Sequence, residues 1–183
     1  DATPAAVGRV LYLDWETDEE DFADRMAQLG ATDPDTPWYR RCWAPLHEIA
    51  REVKREADAL SLSVLFYDSL GFAAGGDITD ADVVLRTFAA MRYIGRKGAV
   101  VHHIPKEGRE PYGSVYIRNA ARNAWFLSRA ATEDDGFKGV LVHRKSNNSA
   151  LMESMGLYFR FQDGAQIERT DAQPLLLQIG EAK

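Results

Sequence analysis

Three apolar stretches end in side chains that can handle protons or metal ions. "VLYLD" leads into Asp14, Trp15 and Glu16, "SVLFY" into Asp68 and Ser69, and "AVV" into His102 and His103. Singly, each has an ordinary explanation. A carboxylate just past a strand commonly caps a helix or closes a turn, and a lone histidine is commonly a packed, satisfied side chain. Together they fit one chemistry. Hydrolysis of a phosphoanhydride needs a metal held by an acid, a carboxylate that orients or deprotonates water, and a polar group that detects the terminal phosphate. Asp68 suits the metal, Glu16 the water, and His102 or His103 the sensing. A metal hydrolase built on both histidines with Asp68 and Glu16 is disfavoured, because consecutive residues of a strand point to opposite faces.

Strands and helices must place these groups. "RVLYLDW" (9–15) reads as a strand, and 17–30 as a helix with Thr17 as N-cap, acids in its first turn and Gly30 at its end. "WYRRCW" (38–43) suits a short strand. Residues 45–60 form an amphipathic helix pattern with Leu46, Ile49, Val53 and Ala57 on one face and Pro45 at the first helical position. A strand at 62–68, a helix at 77–98 capped by Thr79 or Asp80, and a strand at 99–104 complete a β-α-β-α-β-α-β order. That alternation predicts a parallel sheet covered by helices, in which ligands bind outside the carboxyl ends of the strands. The three reactive tips would then share one crevice. The last third changes character: "AWFLSRAAT" and "KGVLVHRK" flank the turn "EDDGF", and Asp163-Gly164 joins two further strands. These predict an antiparallel extension of the sheet.

Composition narrows the class. The chain has 183 residues, 45% hydrophobic and 27% charged, which suits a single globular domain over 1–183. No run approaches the ~18 apolar residues of a membrane span, and no basic-then-apolar leader opens the chain. The one cysteine, Cys42, excludes an intramolecular disulfide framework and fits a reducing, cytoplasmic setting. Cys42 and Trp15 read as packing residues, and Gly75-Gly76 as a turn. A net charge of −6 argues against a basic nucleic-acid coat while leaving room for a local basic groove.

The blocks "GRVLYLDWETDEEDFADRMAQL", "VLFYDSLGFAAGGDITDADVV", "VVHHIPK", "PYGSVYIRNAARNAWFLSRA" and "VHRKSNN" occur in an order that resembles the RecA-like ATPases of the RepA-type hexameric replicative helicase group, and their KaiC- and DnaB-like relatives. The resemblance covers roughly residues 8–162. It implies an α/β, RecA-like three-layer sandwich binding Mg2+ and ATP in the intact parent. Asp68 matches the Walker B aspartate, holding Mg2+ through water, and Glu16 matches the catalytic glutamate. His103 falls in the family's sensor segment as a further catalytic residue, with His102 and Ser69 beside it as nucleotide sensors. Lys145, then Arg144, match the fingers sent into a neighbouring subunit's site, although Asn147 stands where some relatives carry a further base. The DNA-facing loop would be roughly 105–113, giving Lys106, Arg109, Gly113 and Ser114 as DNA-binding residues, with Arg118 and Arg122 as candidates for DNA or a neighbour's nucleotide. Arg118, Arg122, Arg144 and Lys145 also suit ordinary solvated surface.

One part is missing from these residues. A P-loop needs G-x-x-x-x-G-K-[ST], whose amides and lysine hold phosphates. The only Lys-Ser pair, Lys145-Ser146, has Gly139 upstream, but Arg144 replaces the second glycine and "VLVH" is strand-like. The family's first strand, P-loop and helix would lie ahead of residue 1, and losing them would expose sheet edge and apolar helix faces. The resemblance implies single-stranded DNA and further copies in a ring or filament as partners, and the missing unit adds a chain supplying the P-loop as the alternative. The expected activity is ATPase and helicase in the parent, with this chain alone inactive. The alternative is a RecA-fold assembly or regulatory module without hydrolysis.

Overall fold

The computed structural model describes residues 8–31, 36–103 and 113–180. The described residues form two compact units. One comprises the described parts of 1–23 and 34–120, the other those of 24–33 and 121–183.

The first unit runs β1 (Val10–Asp14), the start of α1 (Glu19–Gln28), β2 (Trp38–Arg41), α2 (Leu46–Ala59), β3 (Val64–Asp68), α3 (Leu70–Ala74), α4 (Ala81–Ile94), β4 (Lys97–Val100) and α5 (Val115–Ala120). Its four strands are parallel, in the order β2-β1-β3-β4. Because strand side chains alternate faces, Leu11, Leu13, Leu65 and Tyr67 all point one way. They pack with Leu46, Val53 and Ala57 of α2 and Ala90 and Ile94 of α4. Full burial of each leucine, valine or isoleucine among them contributes about 1.5–3 kcal/mol. The opposite face carries Tyr12, Phe66 and Tyr39, with Phe22 of α1 at 5.3 Å from Tyr12 and 4.6 Å from Tyr39 between ring centroids. Arg40 ties β2 to α2 through Glu56 (2.6 Å) and Glu52 (2.9 Å).

Several ends differ from the sequence expectation. Thr17 does not cap α1; Asp18 does, accepting from the Asp21 N–H at 3.0 Å, because the Thr17 hydroxyl is drawn to Asp14. Pro45 stands one position before α2 rather than within it. Of the two candidate caps for α4, Asp80 is the one used. The helix expected to reach residue 98 stops at Gly95, which adopts φ 73°, a left-handed conformation that glycine enters at little cost. The following strand is accordingly earlier, and His102 and His103 lie just beyond it.

The second unit holds β5 (Asn123–Glu133), β6 (Gly136–Ser146), β7 (Met155–Arg160), β8 (Gln166–Thr170) and α6 (Ala172–Gln178), together with the end of α1. Both expected turns are present, the second with Asp163 and Gly164 at positive φ. These strands form an antiparallel sheet of their own, in the order β5-β6-β7-β8, rather than an extension of the parallel one. Alternating apolar residues report which face is buried and not which strand lies alongside, so sheet membership could not be read from the pattern. Leu175 and Leu176 of α6 cover one face at Val140. No helix of the described residues is long and apolar enough to cross a membrane.

Candidate active site at the tips of the parallel strands

Asp14 organises the first tip. Its side chain is 1% exposed. Oδ1 accepts from the N–H groups of Glu16 (2.8 Å) and Thr17 (3.0 Å), and Oδ2 accepts from Thr17 Oγ1 (2.6 Å). Arg41 Nη1 lies 3.9 Å away. Burial alone would raise this carboxyl; the Thr17 hydroxyl, the two amides and the Arg41 charge outweigh it and hold Asp14 below the usual carboxylate range. Asp14 is therefore a clamp on the turn that presents Glu16. The sequence signal for it was an aspartate three residues before a threonine at a strand end, a spacing that closes a local turn. Trp15 packs inward as expected, 8% exposed, and its Nε1–H donates to the Ala44 carbonyl at 2.9 Å.

Glu16 and His103 meet across the sheet, although they are far apart in sequence. Nε2 of His103 is 3.4 Å from Oε1 of Glu16. Asp68 stands at the end of β3 in register with Asp14 on β1, and the Trp15 N–H donates to its carbonyl at 2.8 Å. The Tyr12 phenol donates to Asp68 Oδ2. Ser69 follows, buried, through a cis peptide, and opens α3. The chain after β4 is held in place by paired bonds: the Val101 N–H donates to Tyr67 O at 3.0 Å, and the Leu70 N–H to Val101 O at 2.9 Å. His102 is half-buried. The three tips thus bring a carboxylate, a carboxylate–histidine pair and a buried hydroxyl to one end of the sheet. Among the described residues no three His, Cys, Asp or Glu side chains group closely enough to hold a metal ion between them.

The other expected site residues are spread more widely. Lys145 donates to the Ala121 carbonyl at 2.7 Å, and the Arg144 guanidinium lies 5.7 Å over the Phe126 ring. Gly113, at φ 118°, has no room for a side chain: a Cβ would lie 2.7 Å from Ile117 Cδ1 and 2.8 Å from the Ile78 carbonyl. The Ser114 N–H donates to that same carbonyl at 2.7 Å, so both residues seat α5. Arg118 is exposed on α5, and the Arg122 carbonyl accepts from the Asn147 N–H at 3.0 Å. Lys106 and Arg109 lie outside the described residues. Cys42 is buried, and burial pushes its thiol up to about 11.

No family model matches this chain, and no curated protein matches it. Among solved structures, the KaiC-like protein PH0186 from the hyperthermophilic archaeon Pyrococcus horikoshii OT3 superposes with a TM-score of 0.65. The match spans 89% of this chain and 76% of that one, at 16% identity. The fold is RecA-like. A parallel sheet with a separate antiparallel sheet after it agrees with the α/β architecture expected from the ordered sequence blocks. At this identity the likeness speaks for the fold alone.

Proposed function

We propose that these residues form the water-activating and metal-binding side of a RecA-like ATPase, whose parent couples ATP hydrolysis to movement on, or remodelling of, single-stranded DNA as a RepA-like helicase. The observation that carries this is the Glu16–His103 pair at 3.4 Å beside Asp68 on the neighbouring strand tip. Glu16 is the base that orients and deprotonates water. His103 is hydrogen-bonded to it and, with His102 and Ser69, reads the terminal phosphate. Asp68 offers one carboxylate, a hard oxygen donor suited to Mg2+, which keeps most of its waters. Bound magnesium would supply charge neutralisation on the phosphates. Tyr12 fixes the orientation of the Asp68 carboxylate. Lys145 and Arg144 would serve a neighbouring subunit, and Gly113, Ser114, Arg118, Arg122, Lys106 and Arg109 the DNA side.

Residues 1–183 contain no acceptable P-loop. The second reading, an assembly or regulatory module without hydrolysis, is favoured by that observation. On the first reading the missing unit would pair with the outer strand β4, where Lys97 and Gly98 are exposed. A strand added there would complete backbone pairing and place a phosphate cradle on the far side of β4 from Asp68, at the same end of the sheet. Calorimetric titration of the chain with Mg-ATP separates the two. Binding weaker than millimolar, restored when a P-loop-bearing strand–helix unit is supplied, is the expected result. Hydrolysis by that reconstituted assembly should fall about 10²–10⁴-fold on Glu16→Gln. Unchanged hydrolysis in that variant would remove Glu16 from the mechanism.

A further inference from the structure

The antiparallel sheet has one face that α6 does not cover, and cross-strand partners share a face, so the register spells out what it presents. One row is Leu127, Leu141 and Met155. The next is Arg129, Gly139, Leu157 and Arg169. The third is Thr132, Phe137, Phe159 and Ile167. Leu127 is 49% exposed and Ile167 57%, while Phe161, which continues this face beyond β7, is 56% exposed. Phe137 and Phe159 are stacked at 4.6 Å. The acidic residues of these strands, Glu133 and Glu168, lie on the opposite face, bonded to Lys138 and Arg160. The open face therefore carries apolar side chains with an exposed arginine at each end of its middle row. Gly139 is buried, and the Leu127 side chain packs over it, its Cδ1 3.4 Å from where a Cβ would lie.

We infer that this face is a docking site for an amphipathic helix with an apolar stripe and an acidic residue near each end. Aromatic, methionine and arginine side chains without acids are the composition of protein interface cores. A helix presents an apolar stripe of matching width. β5 and β8 are three strand spacings apart, about 14 Å, which a helix crosses in about ten residues. Acidic side chains about three turns apart would reach Arg129 and Arg169 together. A nucleic acid is disfavoured because the face offers only two cations and its middle is aliphatic. The site is independent of the roles given to Glu16 and Asp68.

The test uses the full chain and a labelled 14-residue peptide with leucines at helical spacing and a glutamate near each end, against the same peptide with lysines there. Fluorescence anisotropy should show the glutamate peptide binding at least tenfold tighter. Arg129→Glu with Arg169→Glu should invert that preference, and both positions are exposed, so a melting curve checks that the fold is kept. Equal binding, or none, overturns the inference. So does Arg129-dependent binding of a labelled dT20 oligonucleotide in place of the peptide, which would make the face a nucleic-acid platform. A dimer in sedimentation that Leu127→Asp dissolves would assign the face to a second copy instead.

Discussion

At the scale of single residues, Asp14 and Cys42 show how position decides chemistry. Asp14 is held below its ordinary range, so its ionised form stabilises the folded state. The sign follows from linkage: the contribution is fully present above the unfolded value of about 3.9 and is lost as pH falls through the lower folded value. Urea melts at pH 7 and pH 3 should show a loss at the acid end, and Asp14→Asn should flatten part of that slope. Cys42, 3% exposed and with its thiol pushed up to about 11, should resist iodoacetamide at pH 8 until the protein unfolds. Rapid labelling of the folded chain would mean the tip of β2 opens readily. Glu16, Asp68 and His103 stand out as candidates in the sequence because each follows an apolar strand. It did not reveal that Tyr12 bonds to Asp68, because that contact joins two strands whose diagonal geometry no local pattern encodes.

At the scale of elements, caps and glycines set the boundaries. Asp80→Ala removes the acceptor for the Asp82 N–H and should cost about 0.5–2 kcal/mol, read from a denaturant melt. Gly75→Ala should cost more than this, since φ is +64° and a Cβ would come 2.2 Å from Pro45 Cγ. The long helices α2 and α4 and both antiparallel hairpins were legible, since periodicity and the Asp-Gly turn act locally. The short helices α3, α5 and α6 were not. Five to seven residues provide less than two turns of pattern. They exist because buried side chains such as Leu70, Ile117 and Leu176 hold them in place.

At the scale of the whole molecule, the two units differ in how much core they own. The first buries an extended cluster around Leu11, Leu13, Leu65 and Val53, while the buried cluster of the second is Val140, Leu175 and Leu176. Hydrogen exchange should therefore be faster in β5–β8 than in β1 and β3, and Leu176→Ala, at about 2–5 kcal/mol, should accelerate it there first. Uniform exchange across both sheets would mean that they open as one. The chain passes from the first unit into the second within α1, returns, and leaves again after Ala120. The Gln28 carbonyl near the end of α1 accepts from the Ala165 N–H at 2.6 Å, beside the β7–β8 turn. No single cut in the gene separates the two units. A truncation after Ala120 would strand the end of α1 without its companion, and a recombination event that swaps only the C-terminal half would have to find a new residue to meet Gln28.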